Sequence, residues 1–330
     1  MTDPEICAAV RQHYGLAVRA VERIDRGSAA LFKLYGSEAA FILKVFQPKF
    51  RADSILREVH VTDFLRQNGI SVPEYIPCRN GDFYFMQNGR IAILQAFIPG
   101  QTREKGCCSK RELLDSARLL AQIVNALEHY PYDDLLPCEI SRYGSAARLL
   151  QAKAAYVDLM AAAHADAVHG AEICRDLQDR LVMIARVSDA GAFVNTNALT
   201  LKRSHGDYSV MQLLYDGSEI KAVLDFVSAG EVPIAWELIR SYSYMDCTFN
   251  AARLAAYTNE YRRYAEVSMD DLRYMPYLYL SQLLSSTYGY KQYLQTGDEE
   301  LLAFGRWRTE MCRYLIANAR EVSAELVRLA

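Results

Sequence analysis

SHGDYSVMQLLYDGSEIKAVLDFVSAGEVPIAWE, residues Ser204 to Glu237, is the stretch whose reading decides the fold. It divides into a polar loop at His205, Gly206 and Asp207, an apolar run from Met211 to Tyr215, a turn at Asp216, Gly217, Ser218 and Glu219, and a second apolar run from Ala222 to Leu224 that ends on Asp225. Two short apolar runs around an Asp-Gly turn predict a hairpin. A hairpin folds its ends back together, so Asp207 and Asp225 are expected near one another. Paired carboxylates repel unless a cation lies between them, and a divalent metal with phosphate oxygens is one such occupant. On spacing alone, hairpin-end caps and solvated turns account for the pair equally well.

Working outward, the 330-residue chain has room for two lobes with real cores, and 51% hydrophobic with 23% charged residues is ordinary globular composition. Thirty-seven basic residues against forty acidic ones leave a formal charge of -3, which gives no global attraction for nucleic acid or an anionic membrane. The N-terminal stretch MTDPEICAAVRQHYG carries acid and no unbroken apolar run, and no later run is long enough to span a bilayer, so a cytoplasmic, membrane-free protein is expected, as monomer or homodimer. Eight cysteines without a CxxC pair suggest neither zinc nor a disulfide framework.

Toward the N-terminus, Ala17 to Ile24, Ala29 to Tyr35 and Ala39 to Phe46 read as three consecutive antiparallel strands, with turns at Asp25 to Gly27 and Gly36 to Glu38. Lys44 interrupts the third run, FILKVF, and needs either an edge strand from which to reach solvent or a cleft to face. A helix is predicted from Ala52 to Asn68 on the stripe Ile55, Val59, Thr62 and Leu65, with Gly69 as its stop and Glu58 beside the stripe. Asn80-Gly81 and Asn88-Gly89 read as type I′ turns, Arg90 to Phe97 as the last strand, and Pro99-Gly100 as its end. Beyond Thr102 the pattern turns helical. Ser109 and Glu112 form a capping box ahead of an apolar stripe from Leu113 to Leu127, and helices are expected over Ser145 to His164, Ala171 to Val187 and most of the chain after Trp236.

His205-Gly206-Asp207 resembles the HGDxxxxN catalytic loop of the aminoglycoside phosphotransferase and choline kinase superfamily. Leu224-Asp225-Phe226 resembles its metal-binding segment, and Pro233 to Leu238 the stretch that follows. The likeness extends over about residues 14 to 320 and includes type II homoserine kinase-like members. It implies an α+β, two-lobed protein-kinase-like fold: an N-terminal antiparallel sheet with one helix at 1–96, a hinge at 97–102, and a larger, mostly helical C-terminal lobe at 103–330 carrying the catalytic hairpin 204–237. The implied activity is transfer of the ATP γ-phosphoryl group to a hydroxyl of an amino sugar, amino alcohol or homoserine-like substrate, with Mg²⁺. In that scheme Asp207 orients the acceptor hydroxyl, Asp225 and Gln212 hold metal, and Lys44 contacts phosphates, steadied by Glu58. Gly27 and Ser28 lie over the phosphates, and Gln95, Phe97 and Ile98 meet the purine through their backbone. His205 is expected to hold the loop by packing and hydrogen bonding.

Two positions depart from the family pattern. Gln212 stands where the family has asparagine, and Val227 where many members carry another acid. The longer Gln212 side chain keeps a second reading open, that of a catalytically weak or inactive kinase-like nucleotide-binding module. Tyrosines and tryptophans of the helical part, with Glu231, Glu237 and Asp246, either hold a cationic substrate or pack a core.

Overall fold

The computed structural model describes residues 2–24, 29–189 and 194–328. The turn at Gly27 and Ser28, read above as a phosphate-contacting loop, therefore lies outside the described residues. The fold is α+β, an antiparallel sheet with helices in the N-terminal part followed by a larger, mainly helical part. The chain forms two compact units, Met1–Leu136 with Arg203–Glu231, and Pro137–Lys202 with Val232–Ala330.

The first unit opens with helix α1 (Asp3–Tyr14), which the sequence reading had not drawn as an element. Its signals are local: Glu5 accepts from the Thr2 N–H at 2.8 Å, proline stands in the first turn, and Gly15 closes the helix at φ +74°. Strands β1 (Ala20–Ile24), β2 (Ala30–Tyr35) and β3 (Ala40–Val45) follow as the expected meander, then helix α2 (Ala52–Gln67) and strands β4 (Tyr75–Ile76), β5 (Tyr84–Gln87) and β6 (Arg90–Ala96). The sheet runs β1-β2-β3-β6-β4, with β5 also paired to β6. Asn88 and Gly89 both have positive φ, 50° and 73°, as a type I′ hairpin between β5 and β6 requires. At Asn80-Gly81 only the glycine does, at 89°. Gly81 N–H donates to Cys78 O (2.9 Å) and Cys78 N–H to Asp82 O (2.7 Å), so this turn places one left-handed glycine after an ordinary turn and is not type I′.

Strand alternation sorts the sheet into two faces. Leu43, Val45, Ala92 and Leu94 pack with Ile6, Ala9 and Val10 of α1, while Phe46, Ile91 and Ile93 pack with Ile55 and Val59 of α2. Lys44, between Leu43 and Val45 in sequence, belongs to the α2 face of a central strand. That removes the edge-strand explanation for it. Helix α3 (Lys110–Glu128) begins on the expected capping box, with the Ser109 side chain accepting from Glu112 N–H and Glu112 Oε2 from Ser109 N–H (2.8 Å). Leu113, Leu120, Ile123, Val124 and Leu127 are fully buried on it, each contributing roughly 1.5–3 kcal/mol as an upper bound.

Next come α4 (Ala146–Ala163), α5 (Gly170–Asp189) and β7 (Leu201–Ser204), followed by the hairpin β8 (Leu213–Asp216) and β9 (Glu219–Val223) and by β10 (Gly230–Pro233). Asp216 pairs with Glu219 across a two-residue turn whose first residue, Gly217, has φ +57°. The remaining helices are α6 (Ile234–Met245), α7 (Ala251–Arg262), α8 (Met269–Leu284), α9 (Tyr290–Thr296) and α10 (Glu299–Arg328). In the second unit α10 lies along α8 and also touches α5, α7 and α9, so the longest helix organises that core. No helix among the described residues is long and apolar enough to cross a membrane.

Candidate active site

Helix α2 carries Glu58 three residues after Ile55 and one before Val59, so the stripe that packs on the sheet also buries this carboxylate completely. Lys44 arrives from β3 on the same face. Its Nζ lies 3.1 Å from Glu58 Oε1 and 3.4 Å from Oε2, 2.7 Å from Asp225 Oδ1, and 4.7 Å from the centre of the Phe46 ring. Tyr75, which sequence reasoning passed over, donates its hydroxyl to Glu58 Oε1 at 2.8 Å. A tyrosine shortly after a Val-Pro pair has no periodic signature to announce it.

These charges set one another. Burial pulls the Lys44 pKa down, but the Glu58 and Asp225 carboxylates outweigh it and leave it raised. For Glu58, burial raises the pKa and the Asp225 charge adds to that, against Lys44 and the Tyr75 hydroxyl. For Asp225, burial raises, but the Lys44 charge and hydrogen bond bring the net shift below the usual carboxylate value.

The hairpin is tied down at several points of its length. Gln101 and Tyr215 exchange both backbone bonds (2.8 and 2.9 Å), and Arg103 donates to Gly217 O (2.5 Å) while pairing with Glu112 (2.6 Å) and covering the Tyr215 ring at 4.7 Å. On β9, Val223 N–H donates to Ser71 O (3.0 Å), and the Ser71 hydroxyl to Lys221 O. Leu224 N–H then donates to Gln212 O at 2.8 Å, and Asp225 adopts the left-handed conformation, φ +67° and ψ +59°. That geometry is tolerated best by glycine, asparagine and aspartate. It turns the chain so that the Asp225 carboxylate, 40% exposed, meets Lys44.

His205 is fully buried, and its two ring nitrogens are both used. Nδ1 accepts from Asp207 N–H (3.2 Å), which fixes the neutral tautomer whose Nε2–H donates to Leu224 O (2.9 Å), and the ring packs on Phe226 at 4.5 Å. One histidine thus links the loop carrying Asp207 to the segment carrying Asp225. Gly206 makes the second link. At φ +76° it lies so close to the following turn that a β-carbon would stand 2.1 Å from Ser228 O. Gln212 Nε2 donates to Asp207 Oδ2 at 3.3 Å and the Ser209 hydroxyl donates to Gln212 Oε1, so the amide oxygen expected to meet metal is held by a neighbouring hydroxyl. Val227 packs against the apolar cluster shared by α2 and the sheet, and its carbonyl accepts from Arg57 at 3.0 Å.

The expected purine-contacting backbone is partly engaged by the sheet itself. Ala96 N–H donates to Glu74 O (2.8 Å), Phe97 N–H to Ala40 O (3.1 Å), and Gln95 pairs in register with Ile42 and Tyr75. Ile98 lies beyond the last of these bonds. Among the described residues no group of three or more His, Cys, Asp or Glu side chains is placed to hold a metal ion. The half-exposed Asp225 carboxylate instead fits a hard ion whose remaining ligands are phosphate oxygens and water.

The model of the phosphotransferase enzyme family matches residues 20–267, and the chain belongs to that family. It is a phosphotransferase with an alcohol group as acceptor, of the type that passes phosphate from ATP to a small-molecule hydroxyl. No curated protein matches the chain. Solved structures share the fold. Spectinomycin phosphotransferase APH(9)-Ia, in complex with ADP and spectinomycin, is 10% identical over 100% of this chain and 99% of its own, with a TM-score of 0.68. Amicoumacin kinase hAmiN, in complex with AMP-PNP, Ca²⁺ and its ligand, is 13% identical over 95% and 94%, with a TM-score of 0.65. A microcompartment-associated aminopropanol kinase is 15% identical over 99% and 100%, with a TM-score of 0.62.

Proposed function

We propose that the chain transfers the γ-phosphoryl group of ATP, with Mg²⁺, to the hydroxyl of an amino sugar, amino alcohol or homoserine-like compound. The observation that carries this reading is Lys44 held between a helix carboxylate at 3.1 Å and a carboxylate beyond the hairpin at 2.7 Å. A strand lysine, a helix glutamate and a half-exposed aspartate are the parts that phosphoryl transfer asks for, since that reaction depends on positioning and charge neutralisation.

In this reading Lys44 keeps Glu58 as its permanent partner and turns toward the nucleotide phosphates. Asp225, with Gln212, holds magnesium, which when bound neutralises charge on the phosphates. Asp207 orients the acceptor hydroxyl and takes its proton as the oxygen attacks. Gln212 and the His205-anchored loop keep the Asp207 carboxylate aimed. The purine edge is received by backbone from Ile98 onward in the 97–102 hinge, because the N–H groups of Ala96 and Phe97 already serve the sheet. The acceptor class is supported by the names of the similar structures, which include an aminopropanol kinase.

ADP release measured with ATP and Mg²⁺ over a panel of amino sugars, amino alcohols and homoserine tests this. The expected result is turnover on at least one compound, reduced on the order of 10²-fold or more by Asp207→Asn. Stabilisation by ATP without ADP release on any compound, unchanged in Gln212→Asn, would instead make the chain a nucleotide-binding module.

A further inference from the structure

Two arginines are buried in the unit that contains α4 to α6 and α10, and they are held in opposite ways. Arg180, on α5, is 0% exposed and surrounded by acceptors. It donates from Nε to the Thr309 hydroxyl (2.9 Å), from Nη1 to the Tyr156 hydroxyl (3.2 Å) and the Ser286 carbonyl (3.0 Å), and from Nη2 to the Gly305 carbonyl (3.2 Å). Arg308, on α10, is 7% exposed, and no hydrogen bond or ion pair joins it to a described residue; the centre of the Phe304 ring lies 5.5 Å from its Cζ.

A guanidinium stays charged at any pH the protein meets, so it cannot escape burial by losing its proton. An unpaired charge removed from water is strongly unfavourable until an anion or water reaches it. Burial pulls the Arg308 pKa below its ordinary value, and the nearby Arg180 charge adds to this against the hydroxyls of Tyr244 and Tyr279. The buried carboxylates Asp176, Asp246 and Asp271 have other partners: Asp176 holds Tyr290 and Arg313, Asp246 holds Tyr242, Thr248 and Arg253, and Asp271 caps α8 and accepts from Thr200 N–H.

Aromatic rings and a second guanidinium lie near Arg308. Tyr244 packs on Trp307 (5.1 Å) and Phe304 (6.1 Å), and the Arg240 guanidinium covers Tyr244 at 4.8 Å. Tyr279, bonded to the Ser243 hydroxyl at 2.7 Å, feels both Arg308 and Arg240. Glu237, fully buried on α6 three residues before Arg240, brings a negative charge to the same helix.

We infer that Arg308, with Arg240 and the rings of Tyr244, Phe304 and Trp307, forms a binding site for the carboxylate or phosphate group of a small molecule. The guanidinium fork matches either group in a bidentate fashion, and the flat rings supply an apolar wall for what the anion is attached to. The site lies within one unit and does not depend on the phosphotransfer reading.

The chain has two tryptophans. Trp307 is part of the wall and Trp236 lies 5.5 Å from Arg240, so intrinsic fluorescence of the full chain without nucleotide reports on this cluster. Titration is made with sodium malonate, with inorganic phosphate, and with malonamide as the uncharged counterpart, at constant ionic strength. The expected result is a saturable change with malonate or phosphate, the tighter arm naming the group, none with malonamide, and at least tenfold weaker binding in Arg308→Met. Arg308→Lys, which keeps the charge and loses the fork, is expected to bind more weakly than wild type and better than Arg308→Met. Without anion, Arg308→Met should melt higher than wild type, because an unpaired buried charge has gone. Equal responses in wild type and Arg308→Met, equal responses to malonate and malonamide, or no response to either anion would overturn the inference. So would a lower Tm for Arg308→Met, while loss of ATP turnover alone would bear only on the phosphotransferase reading.

Discussion

Lys44 and Arg308 are buried to a similar degree, 12% exposed at the side chain for the one and 7% for the residue in the other, yet they differ in company. Lys44 has a carboxylate on each side at 3.1 and 2.7 Å, and Arg308 has none among the described residues. Charge compensation in the first cluster lets an ammonium be passed from Asp225 toward another anion without being left bare, since Glu58 stays with it. Lack of compensation in the second leaves affinity for an anion unused. Burial alone therefore says little about what a cation does; its partners decide whether it is settled or waiting.

The largest effects that would break this contrast are on turnover. Asp225→Ala and Lys44→Met should each lower kcat on the order of 10²–10³-fold. Because both act on the same charges, the double variant should lose little more than the worse single variant, which steady-state ADP release would read. Additive losses would mean that the 2.7 Å contact is incidental.

Stability separates the clusters by sign. Glu58→Ala removes the fully buried partner of Lys44 and strands the Tyr75 hydroxyl, so urea unfolding should show a loss of about 3 kcal/mol or more. Glu58→Gln keeps an acceptor for Tyr75 and should lose less. In the other unit, the same kind of measurement on Arg308→Met is expected to move the opposite way. If both substitutions destabilise alike, the distinction between a compensated and an uncompensated cation falls.

How much of this was legible in the sequence follows from the range of the interactions. The hairpin, the Ser109–Glu112 capping box and the Ile55–Leu65 stripe rest on neighbours a few residues apart; the structure has the box and the stripe where the spacing put them, and forms the hairpin with its first strand starting at Leu213, after a tight helical turn at Val210–Gln212, and its second already at Glu219. Lys44 stood out because a charge inside an apolar run is conspicuous, whereas Glu58 was named as its partner from the family resemblance. Helix α1 was legible in Thr2, Pro4, Glu5 and Gly15, but its burial depends on a sheet that forms later in the chain. At Asn80-Gly81 the dipeptide was right and the turn type wrong, because β4 pairs with β6 and leaves no two-residue hairpin to close. Tyr75 on Glu58, and the contrast between Arg180 and Arg308, arise from long-range packing that no local spacing encodes.

Acidity and alkalinity sharpen the comparison further. The folded pKa of Asp225 is lowered, so its contribution to stability is complete above its unfolded value near about 4 and is lost as pH falls through the depressed folded value. Lys44 is raised, so its contribution is complete below about 10.4 and is lost as pH climbs through the folded value. Glu58, also raised, opposes Asp225: it favours the folded state below its unfolded pKa, and that advantage fades as pH rises through its folded one. Unfolding midpoints against pH should show Asp225→Asn flattening the acid side and Lys44→Met the alkaline side. Arg308→Met should leave the acid slope as in wild type, since a guanidinium does not titrate there.

The smallest expected effect belongs to Gln212. Its amide nitrogen donates to Asp207 at 3.3 Å and its oxygen accepts from Ser209, so the side chain serves the aspartate at the same time as it is proposed to serve a metal. Shortening it in Gln212→Asn withdraws the amide by one methylene from Ser209 and moves its oxygen toward the geometry that magnesium, intolerant of distortion, prefers. The Mg²⁺ concentration for half-maximal turnover should fall by about tenfold or less, the scale on which outer contacts tune a metal site. Because the Asp207 contact also loosens, kcat should rise by less than that. A fall in kcat with an unchanged Mg²⁺ requirement would assign Gln212 to aiming Asp207 alone, and leave Asp225 as the one protein ligand proposed for the ion.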